Sequence, residues 1–362
     1  MKKFRLVISV ALISVMGLVG CASVASQDAT AQVKAGERTQ VATEDAGKTV
    51  TTHDGKTVDV SGVTLRIAAA SGLNGHVVVE AAGLDDTPYN VEFTIMQGGN
   101  LVMEALAANQ IDLGAGSQIP PLSASLANNG GNFKVIAVRY GSTLNQELIV
   151  GPGSEIQTVA DLKGKKVGYV KNTTANYFLS KMLTEAGLEW SDVDAQPLTT
   201  SDGLTAVLTG EVEAFASYGN SITSAKEKGA TTLESAQDIL SGNYLFYATP
   251  AAIENEAYHA AIEDWLERWH EAHEWARQNP EEWAAYYAPT INMEVADYLK
   301  QFEEENTDKI YACKPITDAV IADEQDIADT FEGLGLLEQH VNTEEFFDLS
   351  FVDAVSAFTQ YD

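Results

Sequence analysis

Positive charge is scarce in this chain, with 22 Lys and Arg against 52 Asp and Glu and a formal net charge of −30 over 362 residues. So acidic a surface repels phosphate backbones, which argues against nucleic acid as a partner and for solubility at a crowded or salty surface. Cysteine is almost absent. Cys21 and Cys313 are the two, so no intramolecular disulfide framework is expected and stability must come from a buried core. Long apolar runs are missing too, apart from Leu6 to Val19 near the start. Catalytic constellations are equally thin. His270, Glu271, His273 and Glu274 sit within one helical stretch, but the spacing is His-Glu-Ala-His rather than the His-Glu-x-x-His of zinc proteases, and solvated helix surface is the expected reading. No nucleophile motif surrounds Cys313, so neither an enzyme, a metal nor a cofactor is expected.

The apolar run has the form of an address. Lys2, Lys3 and Arg5 precede it, and Leu18-Val19-Gly20-Cys21 resembles a bacterial lipobox. That resemblance implies residues 1–20 as a lipoprotein signal peptide, lipidation at Cys21, and a protein held on the extracytoplasmic face of the cell membrane. Residues 21–62 are rich in Ala, Thr, Ser, Asp and Gly with almost no large side chains, and read as a disordered tether of roughly 35 Å root-mean-square span.

From Val63 onward, strand and helix patterns alternate, which predicts an open α/β sheet with ligands at the carboxyl ends of its strands. Those ends are small and polar: Ser71 to Asn74, Gln97 to Asn100, and Gly116 to Gln118. A second α/β block follows. Its most informative stretch runs from Asp161 to Leu188, where a short strand ends at Lys171 and a helix begins after Thr173 or Thr174, either of which can cap it; Gly187 stands where it should stop. Backbone N–H groups at such a helix start make a seat for a small anion. Two blocks joined by extended segments leave a cleft between them.

These residues resemble the ABC-transporter substrate-binding proteins for aliphatic sulfonates, taurine and nitrate. The similarity rests on residues 153–167 (GSEIQTVADLKGKKV), 106–114 (LAANQIDLG), 118–121 (QIPP), 208–214 (LTGEVEA) and 243–247 (NYLFY), and spans about 64 to 255. It implies a two-lobed α/β periplasmic-binding type II fold with a hinge, dividing into residues 63–150 as the first part of lobe 1, 151–243 as lobe 2, and 244–362 as the lobe 1 return with carboxyl-terminal helices. It further implies a monomeric receptor for a small-molecule solute that delivers its cargo to a membrane permease and ATPase complex. Transferred position by position, the ligand site comprises Ser71, Asn74, Gly99, Asn100, Gln118, Thr173, Thr174, Asn176, Tyr218, Asn220 and Tyr244.

One departure bears on the ligand. Where sulfonate-binding relatives commonly carry Trp-Asp-Pro, this chain has Tyr218-Gly219-Asn220. An aromatic wall remains, but the carboxylate that would pair with a ligand amine is gone, which favours a purely anionic or neutral solute over a zwitterion such as taurine. A pyrimidine or thiamine-precursor solute is the alternative cargo, and a surface interaction protein or an enzyme the alternative class. Trp265, Trp269, Trp275 and Trp283 form a stripe that is expected to pack a helix on the domain rather than to stack on a ligand.

Overall fold

Thirteen short strands and twelve α-helices follow one another in the described chain, first strand-led and then mostly helical. The computed structural model describes residues 48–70, 75–96, 98–127, 129–291 and 293–359, all within one compact unit of residues 45–362. In order, they are β1 (Thr49–Thr51), β2 (Thr57–Asp59), β3 (Thr64–Ala70), α1 (Gly75–Ala81), β4 (Asn90–Met96), α2 (Gly99–Ala107), β5 (Leu113–Gly116), α3 (Ile119–Ser125), β6 (Lys134–Tyr140) and β7 (Gln146–Val150). Then come β8 (Lys166–Tyr169), α4 (Thr174–Glu185), β9 (Asp194–Pro197), α5 (Thr200–Thr209), β10 (Ala214–Tyr218), α6 (Asn220–Glu227), β11 (Thr231–Ser235) and β12 (Asn243–Ala248). The remainder is α7 (Pro250–Glu254), α8 (Glu256–Gln278), α9 (Pro280–Tyr287), α10 (Val295–Asp308), β13 (Ala312–Lys314), α11 (Asp318–Gly333) and α12 (Val352–Phe358).

Two sheets define two lobes. The first has the order β13-β6-β12-β5-β3-β4, and the second β11-β7-β10-β8-β9. In the first, β3 is parallel to β4 and β5, while β12 runs antiparallel to both β5 and β6. The carboxyl ends of β3 to β6 therefore share one edge, and β12 starts there. In the second, β8 is parallel to β9 and β10, and β7 is antiparallel to β10, which brings Gln146 opposite Tyr218. The chain crosses between lobes at residues 141–145 and returns at 236–242, so the ligand-facing edges implied by the sequence are the edges next to the crossings.

Both faces of the first sheet are covered. On one side α8 presents Trp265, Leu266, Trp269, Ala272 and Ala276, all buried and spaced for one helical face. Trp269 is 2% exposed and meets the Phe246 ring edge-on at a centroid separation of 5.3 Å. Losing a ring so buried costs about 3–5 kcal/mol. Trp265 and Trp269 are core, as their spacing predicts, while Trp275 is half-buried and Trp283 is buried on α9. On the other side α2, α3 and α11 bury Val102, Leu106, Leu122, Ile327 and Phe331.

Three expectations change. Residues 49–59 are not tether: β1 and β2 pair antiparallel with Val50 opposite Val58, and these two with Val60 bury against the α8 face. Glu263 of α8 accepts a hydrogen bond from the His53 backbone N–H at 2.5 Å, and Lys56 pairs with Glu256. Alternating Val and Thr in so polar a stretch is too sparse to reveal this hairpin from sequence. Second, β7 belongs to the sheet of lobe 2, so the boundary lies at 141–145 rather than 150; strand periodicity says nothing about which sheet a strand joins. Third, His270 and His273 are 2% and 9% exposed, inside the core rather than on a solvated face. His273 lies between the rings of Trp269 and Tyr311, and burial with Arg139 nearby lowers its pKa well below the ordinary 6.5.

A chain starting at Val63 loses the three valines held by the hairpin, each contributing up to about 1.5–3 kcal/mol before the ordering of the segment is offset. Its thermal midpoint is expected to fall by several degrees relative to a chain starting at Lys48, read by calorimetry.

Candidate ligand-binding cleft

The helix at the centre of the sequence reading forms as its residues predict. Thr173 is extended and caps α4, its Oγ1 accepting from the Ala175 N–H at 3.2 Å and donating to the Val170 carbonyl at 2.7 Å. The helix ends at Glu185, and Gly187 takes a φ of 75°, which L side chains rarely adopt. Thr173 is committed to the cap, and the Thr174 hydroxyl turns to β7. It donates to Gln146 Oε1 at 2.5 Å, Gln146 Nε2 donates to the Tyr244 hydroxyl at 2.9 Å, and Tyr244 reaches the Ser142 carbonyl at 3.5 Å. This polar chain joins α4 and β7 of lobe 2 to β12 of lobe 1.

Tyr218 stands beside Gln146 in the sheet; burial raises its phenol pKa, and a hydrogen bond with Thr173 partly offsets the rise. Asn220 opens α6 and is exposed, following Gly219 at a φ of 60°. Asn176 is fully buried inside α4; its Oδ1 accepts from the Asn172 N–H at 3.4 Å and its Nδ2 has no partner. On lobe 1, Gly99 begins α2 so close to Pro120 that an added Cβ would lie 2.6 Å from the proline ring, and Asn100 is exposed beside it. Ser71 and Asn74 lie outside the described residues, as does Cys21. The structure thus joins Thr173 to Tyr218 directly and Thr174 to Tyr244 through Gln146.

Gln118 is buried and otherwise engaged. Its Nε2 donates to Asp323 Oδ2 at 2.9 Å, an oxygen that also accepts from Ser241 Oγ at 2.6 Å and Asn243 Nδ2 at 3.1 Å. Asp323 of α11 therefore ties the cleft turn to the returning crossing. One turn on, Asp326 accepts from the Tyr177 hydroxyl of α4 at 2.6 Å and pairs with Lys181 at 2.8 Å, so α11 also grips lobe 2.

Sequence reasoning missed Gln146, Asp323 and Arg139. The last had a signal: a cation interrupts VIAVRY, an otherwise buried strand. Arg139 is 5% exposed, and its guanidinium carbon lies 5.4 Å from the Trp269 ring centroid, 5.6 Å from Tyr311 and 5.7 Å from Tyr244. Burial lowers its pKa, opposed by the tyrosines and by Glu305; a guanidinium stays charged regardless. Glu305 is held one ring away, accepting from the Tyr311 hydroxyl at 3.3 Å.

Chemistry that the sequence failed to show is not supplied by Cys313. Its thiol is buried, burial raises its pKa, and the thiolate needed for nucleophilic attack is disfavoured. Among the described residues no helix is long and apolar enough to cross a membrane.

Two α/β lobes, two strand-edge crossings and a polar chain between them define a periplasmic binding protein of type II architecture. Within that class, residues 87–283, more than half the chain, match the family described as NMT1/THI5 like, and the chain belongs to it. It is 29% identical over 272 residues to a putative aliphatic sulfonates-binding protein of Escherichia coli, an alignment covering 74% of this chain and 83% of that one. The crystal structure of the periplasmic aliphatic sulphonate binding protein SsuA from Escherichia coli superposes with a TM-score of 0.69 at 26% identity, over 79% of this chain and 92% of that chain. The desulfurization enzyme DSZB shares the fold at a TM-score of 0.60 and 12% identity, over 83% of this chain and 99% of its own. The fold therefore carries both binding proteins and an enzyme.

Glu324, on α11 beside Asp323, is fully buried with neither carboxylate oxygen hydrogen-bonded. Desolvation raises its pKa well above the ordinary 4.5, with Asp323 adding to the rise and the Gln118 amide only moderating it. A carboxyl harder to ionise when folded keeps a proton that the unfolded chain releases, so stability declines as pH rises above 4.5. The decline approaches about 1.4 kcal/mol per pH unit until Glu324 ionises. Glu324→Gln is expected to raise the melting temperature at pH 7–8 and to flatten its dependence on pH above about 5, measured by thermal denaturation across a pH series.

Proposed function

We propose that this protein is the extracytoplasmic receptor of an ABC importer, capturing a small sulfonate-like anion between its lobes and presenting it to a permease and ATPase complex. The observation that carries this reading is the Thr174–Gln146–Tyr244 chain, which places hydrogen-bonding groups of both lobes in one continuous array at the cleft edge. A ligand touching both sides stabilises the closed arrangement by the contacts it lacks in the open one. The similarity to sulfonate-binding proteins supports the ligand class, and the strand-end loops, made mainly of Gly, Ser, Thr, Asn and Gln, favour binding over catalysis. The ligand groups are Ser71, Asn74, Gly99, Asn100, Thr174, Asn176, Tyr218, Asn220 and Tyr244, with Thr173 fixing the start of α4 and Gln118 holding Asp323 instead. Processing ahead of Cys21 and lipidation of that cysteine hold the receptor at the membrane, as a monomer.

Isothermal titration with a short alkanesulfonate is expected to give micromolar or tighter binding, and Thr174→Ala to weaken it about tenfold, the scale of one lost hydrogen bond to a charged group. No binding of any alkanesulfonate refutes the sulfonate assignment and turns the reading to the pyrimidine alternative; undiminished affinity in Thr174→Ala removes Thr174 from the site.

Because Asn220 offers no carboxylate to a ligand amine, taurine is expected to bind more weakly than an alkanesulfonate of equal length in the same titration. Equal or tighter taurine binding overturns the preference for a purely anionic solute.

A further inference from the structure

Helix α11 is rich in acids, and most carboxylates on such a helix are solvated surface. Two of them, three residues apart, are engaged by different parts of the molecule. Asp323 is held by lobe 1 and the returning crossing, with Gln118, Ser241 and Asn243 all donating to its Oδ2. Asp326 is held by lobe 2: it accepts from the Tyr177 hydroxyl at 2.6 Å and pairs with the Lys181 ammonium at 2.8 Å. Side chains three apart on a helix share a face, so one face of α11 spans both lobes. The helix itself is fastened to lobe 1. Gln325 Nε2 donates to the Val341 carbonyl at 3.0 Å, and its Oε1 accepts from the Thr343 N–H at 3.0 Å. Beyond that turn the Asp348 N–H donates to the Val135 carbonyl of β6 at 2.9 Å, which sews the chain after α11 to the first sheet. The contacts of Asp326 are therefore contacts between lobes.

The partners on α4 stand where they matter. Thr174, Tyr177 and Lys181 lie at i, i+3 and i+7, a single stripe of the helix whose start carries Thr173 and Thr174. Thr174 at the head of the stripe donates to Gln146, and the two groups below it reach Asp326. Tyr177 is buried, and the Lys181 ammonium lies 5.3 Å from the centroid of its ring, so phenol, ammonium and carboxylate pack as one unit. With 53% of the Asp326 side chain exposed, the ion pair alone contributes little. The hydrogen bond from a buried phenol to an ionised carboxylate is the stronger of the two contacts.

We infer that Asp326 is a positioning residue of the receptor, tying the ligand-facing helix α4 to lobe 1 through Tyr177 and Lys181 and so biasing the lobes toward their present arrangement before any ligand arrives. The inference rests on the receptor reading above and adds the group that sets how much of the protein is ready to bind. A hydrogen bond of this length is lost once its atoms part by about 1 Å, so the tie exists only while α4 lies against α11. A contact made in one arrangement and not in another shifts the population toward the first. A ligand that needs both lobes binds only that fraction, and its apparent dissociation constant rises as the fraction falls. Asp326 acts on the ligand only through α4, since its partners stand one and two turns below Thr174.

The test uses the full-length protein with butanesulfonate as the probe. Asp326→Ala is expected to raise the radius of gyration of the ligand-free protein in small-angle X-ray scattering and to weaken butanesulfonate about three- to tenfold in isothermal titration, the scale of one or two polar contacts at a half-exposed site. Exchanging the charges, Asp326→Lys with Lys181→Asp, is expected to recover part of both effects. An Asp326 that merely supports its own helix lowers the melting temperature and leaves radius and affinity unchanged; that result overturns the proposal, as does an exchange that recovers neither. If Asp326→Ala fails to fold, Tyr177→Phe, which loses only the hydroxyl, takes its place with the same two expectations, and an unchanged radius and affinity overturn the tie. Where the wild-type protein binds no sulfonate at all, the sulfonate assignment fails on its own. The scattering comparison needs no ligand and then decides the tie alone, with a larger radius in the variant supporting it and an equal one refuting it.

Discussion

The two chain crossings at residues 141–145 and 236–242 govern the architecture. Because β6 leaves lobe 1 and β12 returns to it at the same edge, every parallel strand of that lobe points its carboxyl end at the crossings. The same holds in lobe 2, where β7 enters and β10 ends side by side, with Gln146 opposite Tyr218. Polar groups collected at strand ends are thereby confronted across a hinge.

Charge is distributed with the opposite sense inside and out. The acidic surface repels anions at long range, though screening confines that repulsion to about 8–10 Å at physiological salt. Inside, the balance is local: Arg139 is a buried cation of lobe 1, and the start of α4 has helix donors in surroundings of lower dielectric, where they act more strongly than surface acids. Glu324 shows the converse. It is an acid held in apolar surroundings and driven to its neutral form, so it adds no negative charge beneath the site.

Much of this was legible in the residues. The alternation from β3 to β5, the Thr173 cap, the Gly187 stop and the buried tryptophan face of α8 each follow from local pattern, because each depends on neighbours within a few positions. What escaped depends on distant partners. Gln146 looks like any strand-end polar residue until β7 pairs with β10; Asp323 looks like a solvated helix acid until three donors from two distant segments converge on one oxygen. The acidic composition around His270 and His273 predicts a solvated surface, yet both are buried. Periodicity assigns a face to a residue but not the element that will cover it.

The hairpin of β1 and β2 has a mechanical meaning. It is fastened to α8 through the His53–Glu263 and Lys56–Glu256 contacts and through buried valines, and α8 is part of lobe 1. The hairpin thus ties the chain at Lys48 to the sheet of lobe 1 rather than to that of lobe 2.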